Sequence, residues 1–169
     1  NAASKEPVKT WPTQNWLNLI PLLLDQGDIV QLGDTQEPCL PGTKCLAGKL
    51  TMRESAAILS RADLHIGPDS LLMHVANGLD VPAVILMGGS RPEACLGYEE
   101  NVNLTNTPVC SPCWIHKGYD SCSHEVECMK ALTVDAAWRA VESFNLFPPH
   151  TDSTKNRMLQ EGTTTTKRT

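Results

Sequence analysis

An open α/β fold built on a parallel sheet is the class this sequence predicts, and three observations predict it. Two short strand-like runs, DLHIG at 63–67 and PAVILMGG at 82–89, each end at glycine, and the second is apolar almost throughout. Segments with helical spacing of apolar residues alternate with them. Strands that alternate with helices pair in parallel through right-handed crossovers. Finally, 169 residues at 41% hydrophobic and 20% charged content suit one soluble domain with a real core.

Each element follows in order. Residues 11–24 place Trp16, Leu17, Leu19, Ile20, Leu23 and Leu24 on one helical stripe, opened by Pro12. Pro21 lacks the amide for its helical bond, which weakens the last turn. DIVQLG (28–33) predicts a short buried strand. Residues 34–49 are rich in Pro and Gly and predict a loop, with a short strand at 45–47. Thr51 and Glu54 stand at the spacing of a capping box, so a helix is expected from there to about residue 61. SLLMHVANGL (70–79) is a short helix between the two strand-like runs. Thr133 caps a last helix through residue 144 that carries Val134, Ala137, Trp138 and Val141 on one face. The result is half of a Rossmann-like architecture. From residue 148 on there is almost nothing to bury, and the expectation is a domain over 1–147 and a disordered tail over 148–169. There is no internal repeat.

Charge and hydropathy exclude whole classes. A net charge of -5 argues against nucleic acid, whose binding rests on several Lys or Arg contacts to phosphates. No apolar run approaches the ~20 residues of a membrane-spanning helix, and no signal segment opens the chain. The expectation is a cytoplasmic chain, at most peripheral at the inner face of a membrane. The chain opens on Asn1 rather than Met, as a processed chain or one cut from something longer would.

The turn Gly67-Pro68-Asp69-Ser70 concentrates the chemistry. Ligands of open parallel sheets lie at the carboxyl ends of strands, beside helix N-termini whose free amides attract anions. Ser70 can donate to a phosphate there, and His74 faces the same way one turn later. Asp69 repels phosphate and is better matched to sugar hydroxyls, which need acceptors. The plainer reading is that Asp69 or Ser70 merely caps the helix and that His74 packs.

Three stretches carry a resemblance: VKTWPTQNW (8–16), AGKLTMRESAAILSRADLHIGPDSLLMHVANGLDVPAVILMGG (47–89) and CSPCW (110–114). Together they resemble the C-terminal domain of glycosyltransferase family 9, the ADP-heptose:lipopolysaccharide heptosyltransferases and their relatives, over most of residues 1–145. The resemblance implies a GT-B fold of two facing Rossmann-like halves. The C-terminal half holds a nucleotide-diphosphate sugar such as ADP-heptose, and the N-terminal half supplies the acceptor site and an Asp base. Carried over, Lys9 meets the donor diphosphate, Asp69 binds sugar hydroxyls, Ser70 and His74 take the phosphate side, and Leu50 packs near the base. Leu71 stands where the family has Gly, and its side chain limits approach of the diphosphate to the backbone. The family domain also opens with a central strand just before the equivalent of residue 1, so the first strand and the N-terminal domain are expected to be missing. With them the catalytic base is missing, and this chain alone should bind without turnover.

Five of the seven cysteines, Cys95, Cys110, Cys113, Cys122 and Cys128, fall in one stretch over 95–128. In a cytosolic chain such a cluster more often holds metal than disulfides. Cys110, Cys113, Cys122 and Cys128 are the candidate ligands of a structural iron or zinc, with Cys95 as a substitute, although the second pair is more widely spaced than usual. Some relatives that modify autotransporters carry cysteine-ligated iron, which favours iron. The alternative is reduced cysteines packed beside Trp114 and Met129, or one disulfide; His116 and His124 are more simply solvated. Cys39 and Cys45 are assigned no role.

The function expected is the donor half of an inverting glycosyltransferase that acts on a cell-surface glycan or protein acceptor, with no metal needed for the step. The competing expectation is a non-catalytic, metal-stabilised nucleotide-sugar-binding module or a truncated remnant.

Overall fold

The computed structural model describes residues 1–4, 7–89, 97–112 and 122–146. The expected tail, Cys95, Cys113, Trp114 and His116 lie outside them. A 3-10 turn at Pro7–Lys9 leads into α1 (Thr13–Leu24), and then β1 (Val30–Gln31), β2 (Lys44–Cys45), α2 (Met52–Leu59), β3 (His65–Pro68), α3 (Leu71–Gly78) and β4 (Ala83–Gly88) follow. The chain goes on through β5 (Val102–Thr105), α4 (Glu127–Lys130) and α5 (Val134–Glu142). All strand pairs are parallel, in two sheets ordered β1-β2 and β3-β4-β5. The predicted α/β class with a parallel sheet between helices is what the structure has.

The six residues of β4 are all buried, because the strand is covered on both faces. Successive side chains of a strand point to opposite faces. Ala83, Ile85 and Met87 therefore pack on Met73 of α3 and on Tyr98. Val84 meets Ala140 and Val141 of α5, and Leu86 joins Trp11, Trp16, Leu19, Ile20 and Met129. Trp11 and Trp16 stack edge-on at 5.1 Å, and Trp11 Nε1 donates to the Leu132 carbonyl at 2.8 Å, tying the start of the chain to its far end.

Local signals mostly place their elements. Thr51 and Glu54 form the capping box reciprocally, the Thr51 amide donating to the Glu54 carboxylate at 2.7 Å, and that amide holds the Glu54 pKa below its ordinary value. Helix α1 runs through Pro21 to Leu24, since one lost amide bond is tolerated where Trp16, Leu19 and Ile20 are buried. Two elements add to those expected: Val102–Thr105 pairs with β4, and Glu127–Lys130 is helical. Two expectations are corrected. The strand expected at 45–47 lies at Lys44–Cys45, fixed by pairing with β1. Cys39 and Cys45, given no role, are joined by a disulfide. Gln31 stitches the same loop by accepting from the Leu40 amide at 2.8 Å and donating to the Pro38 carbonyl at 2.9 Å.

His65, the first residue of β3, is 5% exposed and its Nε2 has no hydrogen-bond partner. Burial, and then the Asn1 ammonium, hold its pKa well below the ordinary 6.5. An unfolded chain takes up a proton at His65 that the folded chain refuses, so stability is expected to fall as pH drops below about 6.5. His65→Gln should remove that part of the slope in urea titrations at a series of pH values; an unchanged slope would refute it. Ile85→Ala, at the fully buried centre of β4, is expected to cost about 2–5 kcal/mol in the same assay.

Candidate functional site

Strand β3 ends at Pro68, and the chain turns through Asp69 and Ser70 into α3. This turn floors a cleft of about 960 Å3. Lys9, Leu50, Asp69, Ser70, Leu71 and His74, singled out in the sequence from three separate stretches, all line it. Its other wall is the loop after β1, with Gly33, Asp34, Thr35, Gln36 and Glu37.

The centre of the cleft is an ion pair. Lys9 Nζ lies 2.9 Å from Asp69 Oδ2, with side-chain exposures of 11% and 5%. Apart from that ammonium, the buried Oδ2 has no hydrogen-bond partner.

Ser70 occupies the N-cap position of α3, yet its side chain makes no capping bond. Instead its hydroxyl exchanges contacts with the Asn1 side chain at 3.3 and 3.4 Å. The capping explanation for Ser70 therefore does not hold, and of the first three amides of α3 that of Met73 is paired, donating to the Ser70 carbonyl at 3.1 Å. Leu71 is 59% exposed, an unusual position for leucine, and lies in the cleft with Leu50 and Met52. His74 Nδ1 is 2.8 Å from the Tyr98 hydroxyl.

Two sets of contacts escaped the sequence. Glu37 accepts from the amides of Ala2 and Ala3 at 3.1 and 3.3 Å, and a Cβ on Gly33 would strike its carboxylate. Its partners are 34 and 35 residues away, which no local pattern reveals. Tyr98 is a lone aromatic in a polar stretch, with no periodicity to mark it.

The cysteines sit elsewhere. Cys128 packs against the end of β4, where Gly88 has a φ of +59° and a Cβ would collide with Met129 Sδ. Ser111, next to Cys110, donates to the Gly89 carbonyl at 2.8 Å. The Val126 amide donates to Cys122 Sγ at 3.4 Å. Among the described residues no three His, Cys, Asp or Glu side chains gather to hold a metal ion, so a four-cysteine site is not formed by Cys110, Cys122 and Cys128 as they stand. Among these residues, too, no helix is long and apolar enough to cross a membrane.

Comparison with known proteins follows the same residues. The model of glycosyltransferase family 9 (heptosyltransferase) matches residues 1–118. Lipopolysaccharide heptosyltransferase 3 of Escherichia coli is 33% identical over 67 residues, which are 39% of this chain and 20% of that protein. Among solved structures, the iron-containing dodecameric glycosyltransferase TibC of enterotoxigenic E. coli H10407 superposes with a TM-score of 0.73 at 20% identity, over 85% of this chain and 44% of TibC. The heptosyltransferase TibC in complex with ADP-D-beta-D-heptose gives 0.69 at 19% identity, covering 85% of this chain and 43% of that one. A family 9 glycosyl transferase of Veillonella parvula DSM 2008 gives 0.65 at 21% identity, covering 85% and 44%. These low identities establish a shared fold, and the chain spans less than half the length of each of these proteins.

The buried pair makes a stability prediction of its own. Lys9→Met or Asp69→Leu alone strands a buried charge and is expected to cost about 3–5 kcal/mol, whereas the double variant should recover most of that loss. Equal losses in the single and double variants, measured by urea unfolding, would show that the pair is not coupled.

Proposed function

This chain belongs to glycosyltransferase family 9, and on that premise we propose that its cleft is the donor site of a heptosyltransferase-like enzyme that binds a nucleotide-diphosphate sugar such as ADP-heptose. One observation carries the reading: residues from three separate stretches line one cleft around the Lys9–Asp69 ion pair. Asp69 accepts from sugar hydroxyls, the Lys9 ammonium faces the diphosphate, and Ser70 with the first amides of α3 offers further donors to the phosphates. Leu50 and Met52 supply an apolar wall for a nucleobase. The description of a solved relative as a complex with ADP-D-beta-D-heptose supports the donor class.

In the transfer we propose, an acceptor hydroxyl on a glycan or protein loses its proton to a base and attacks the anomeric carbon. The nucleoside diphosphate leaves with its bonding electron pair, and the configuration inverts. Lys9 and the α3 amides stabilise charge that grows on the leaving diphosphate, which is where positive groups act most strongly. In this reading the base belongs to the N-terminal half of the family's fold, and the cleft supplies the donor site. The competing reading, a binding module without transfer, predicts the same cleft and is separated by a turnover assay on the full-length protein.

We also assign structural iron or zinc to the cysteine stretch. The Val126 amide donates to Cys122 Sγ, and TibC, similar in fold, is iron-containing. Cys110, Cys122 and Cys128 do not gather as they stand, and the support for the assignment is the cysteine spacing over 110–128. Elemental analysis of the purified protein is expected to find iron or zinc near one per chain, reduced in Cys122→Ser; a folded, metal-free protein refutes the assignment.

For the donor site, calorimetric titration with ADP-heptose is expected to show a roughly 10–150-fold weaker Kd for Asp69→Ala, matching a charged hydrogen bond of about 1.5–3 kcal/mol. Ser70→Ala, which disturbs no cap, should weaken binding by about 2–10-fold. Unchanged affinity in both variants, or no binding by the wild type, would sink the donor-site reading.

A further inference from the structure

Tyr98 lies outside the residues that line the cleft, yet it holds one that does. Its ring packs on the buried cluster of Met73, Ala83, Ile85 and Met87. Its carbonyl accepts from the Asn101 amide and from Asn103 Nδ2, both at 3.1 Å. The phenol is thus fixed from behind, and its hydroxyl meets His74 Nδ1 at 2.8 Å with the rings edge-on at 84°. Nothing among the described residues takes His74 Nε2.

That leaves three states for His74. A neutral ring with its proton on Nε2 accepts the phenol O–H at Nδ1 and turns an N–H donor outward. An imidazolium also presents an N–H at Nε2, the phenol oxygen then accepting at Nδ1. Only the neutral ring protonated at Nδ1 presents a lone pair at Nε2, and a lone pair repels phosphate oxygens. A phenol is the better donor and an imidazole nitrogen the better acceptor, so the contact with Tyr98 disfavours this third state.

We propose that Tyr98 is a positioning residue that fixes His74 as an Nε2–H donor toward the diphosphate of the sugar nucleotide. The proposal rests on the donor-site reading, and it adds a residue that touches no ligand. Tyr98→Phe keeps the packed ring and removes only the hydroxyl.

Two measurements on the 15N-histidine-labelled protein test it. In long-range ring 1H–15N spectra, with His74 identified by its loss in His74→Gln, neutral His74 of the wild type is expected to be protonated at Nε2, and Tyr98→Phe to show mixed tautomers. In titrations with ADP, Tyr98→Phe is expected to raise Kd roughly threefold to tenfold, consistent with one lost hydrogen bond. It should have no further effect on a His74→Gln background. An Nε2-protonated His74 that persists in Tyr98→Phe overturns the proposal. So does an equal loss of affinity with Gln and with His at position 74, because that marks a packing effect. Failure of the wild type to bind ADP removes the donor-site reading and the ligand half of this proposal, while the tautomer spectra still decide whether Tyr98 sets His74.

Discussion

The buried contact between Lys9 and Asp69 is the constraint on which the rest of the site depends. An ammonium and a carboxylate taken out of water are tolerated only against each other, and a chain that buries one must bring the other to it. Lys9 ends the turn before α1, and Asp69 ends the strand that leads into α3, so the pair locks the opening segment onto the carboxyl end of the sheet. Such a pair is a poor source of stability compared with apolar packing of similar volume. Its presence at the floor of a cleft is better understood as chemistry kept in place than as an element of the core.

The core supplies the rigidity that this arrangement needs. Strand β4 is covered on both faces, and through it Trp11 and Trp16, before and within the first helix, reach the last helix and the turn before it. The hydrogen bond from Trp11 to the Leu132 carbonyl fixes Trp11 only two residues from Lys9. The fold therefore sets the position of Lys9 by long-range packing, and that of Asp69 by the strand register His65↔Ala83 through Pro68↔Leu86. Two independent supports meet at one ion pair, and the other face of β4 seats the phenol that holds His74.

The polar groups of the cleft differ in how they are used. Asp69 and Lys9 are buried, Ser70 does not cap its helix, and Leu71 is exposed where the helix begins. None of these choices improves the helix or the core. On the donor-site proposal Asp69, Lys9 and Ser70 serve a phosphate-bearing sugar, whereas Leu71 limits how closely that sugar nucleotide approaches the backbone.

The order of elements, the parallel class, the capping box and the residues of the β3–α3 turn were legible in the sequence because each rests on spacing within a few residues. The resemblance to a known family marked six residues that line the cleft, four in the Asp-Ser-x-x-Met-His turn and Lys9 and Leu50 outside it. The rest depended on distance along the chain. Strand β5 is a short run broken by Asn103, and it becomes a strand because β4 offers it a partner. The Cys39–Cys45 disulfide, the hold of Glu37 on the amides of Ala2 and Ala3, and the contact of Tyr98 with His74 are all meetings that no local pattern specifies. The sequence by itself determined which polar side chains the turn carries. Only the tertiary structure decided that Lys9 and Asp69 neutralise each other, because a pair 60 residues apart is joined by packing rather than by periodicity.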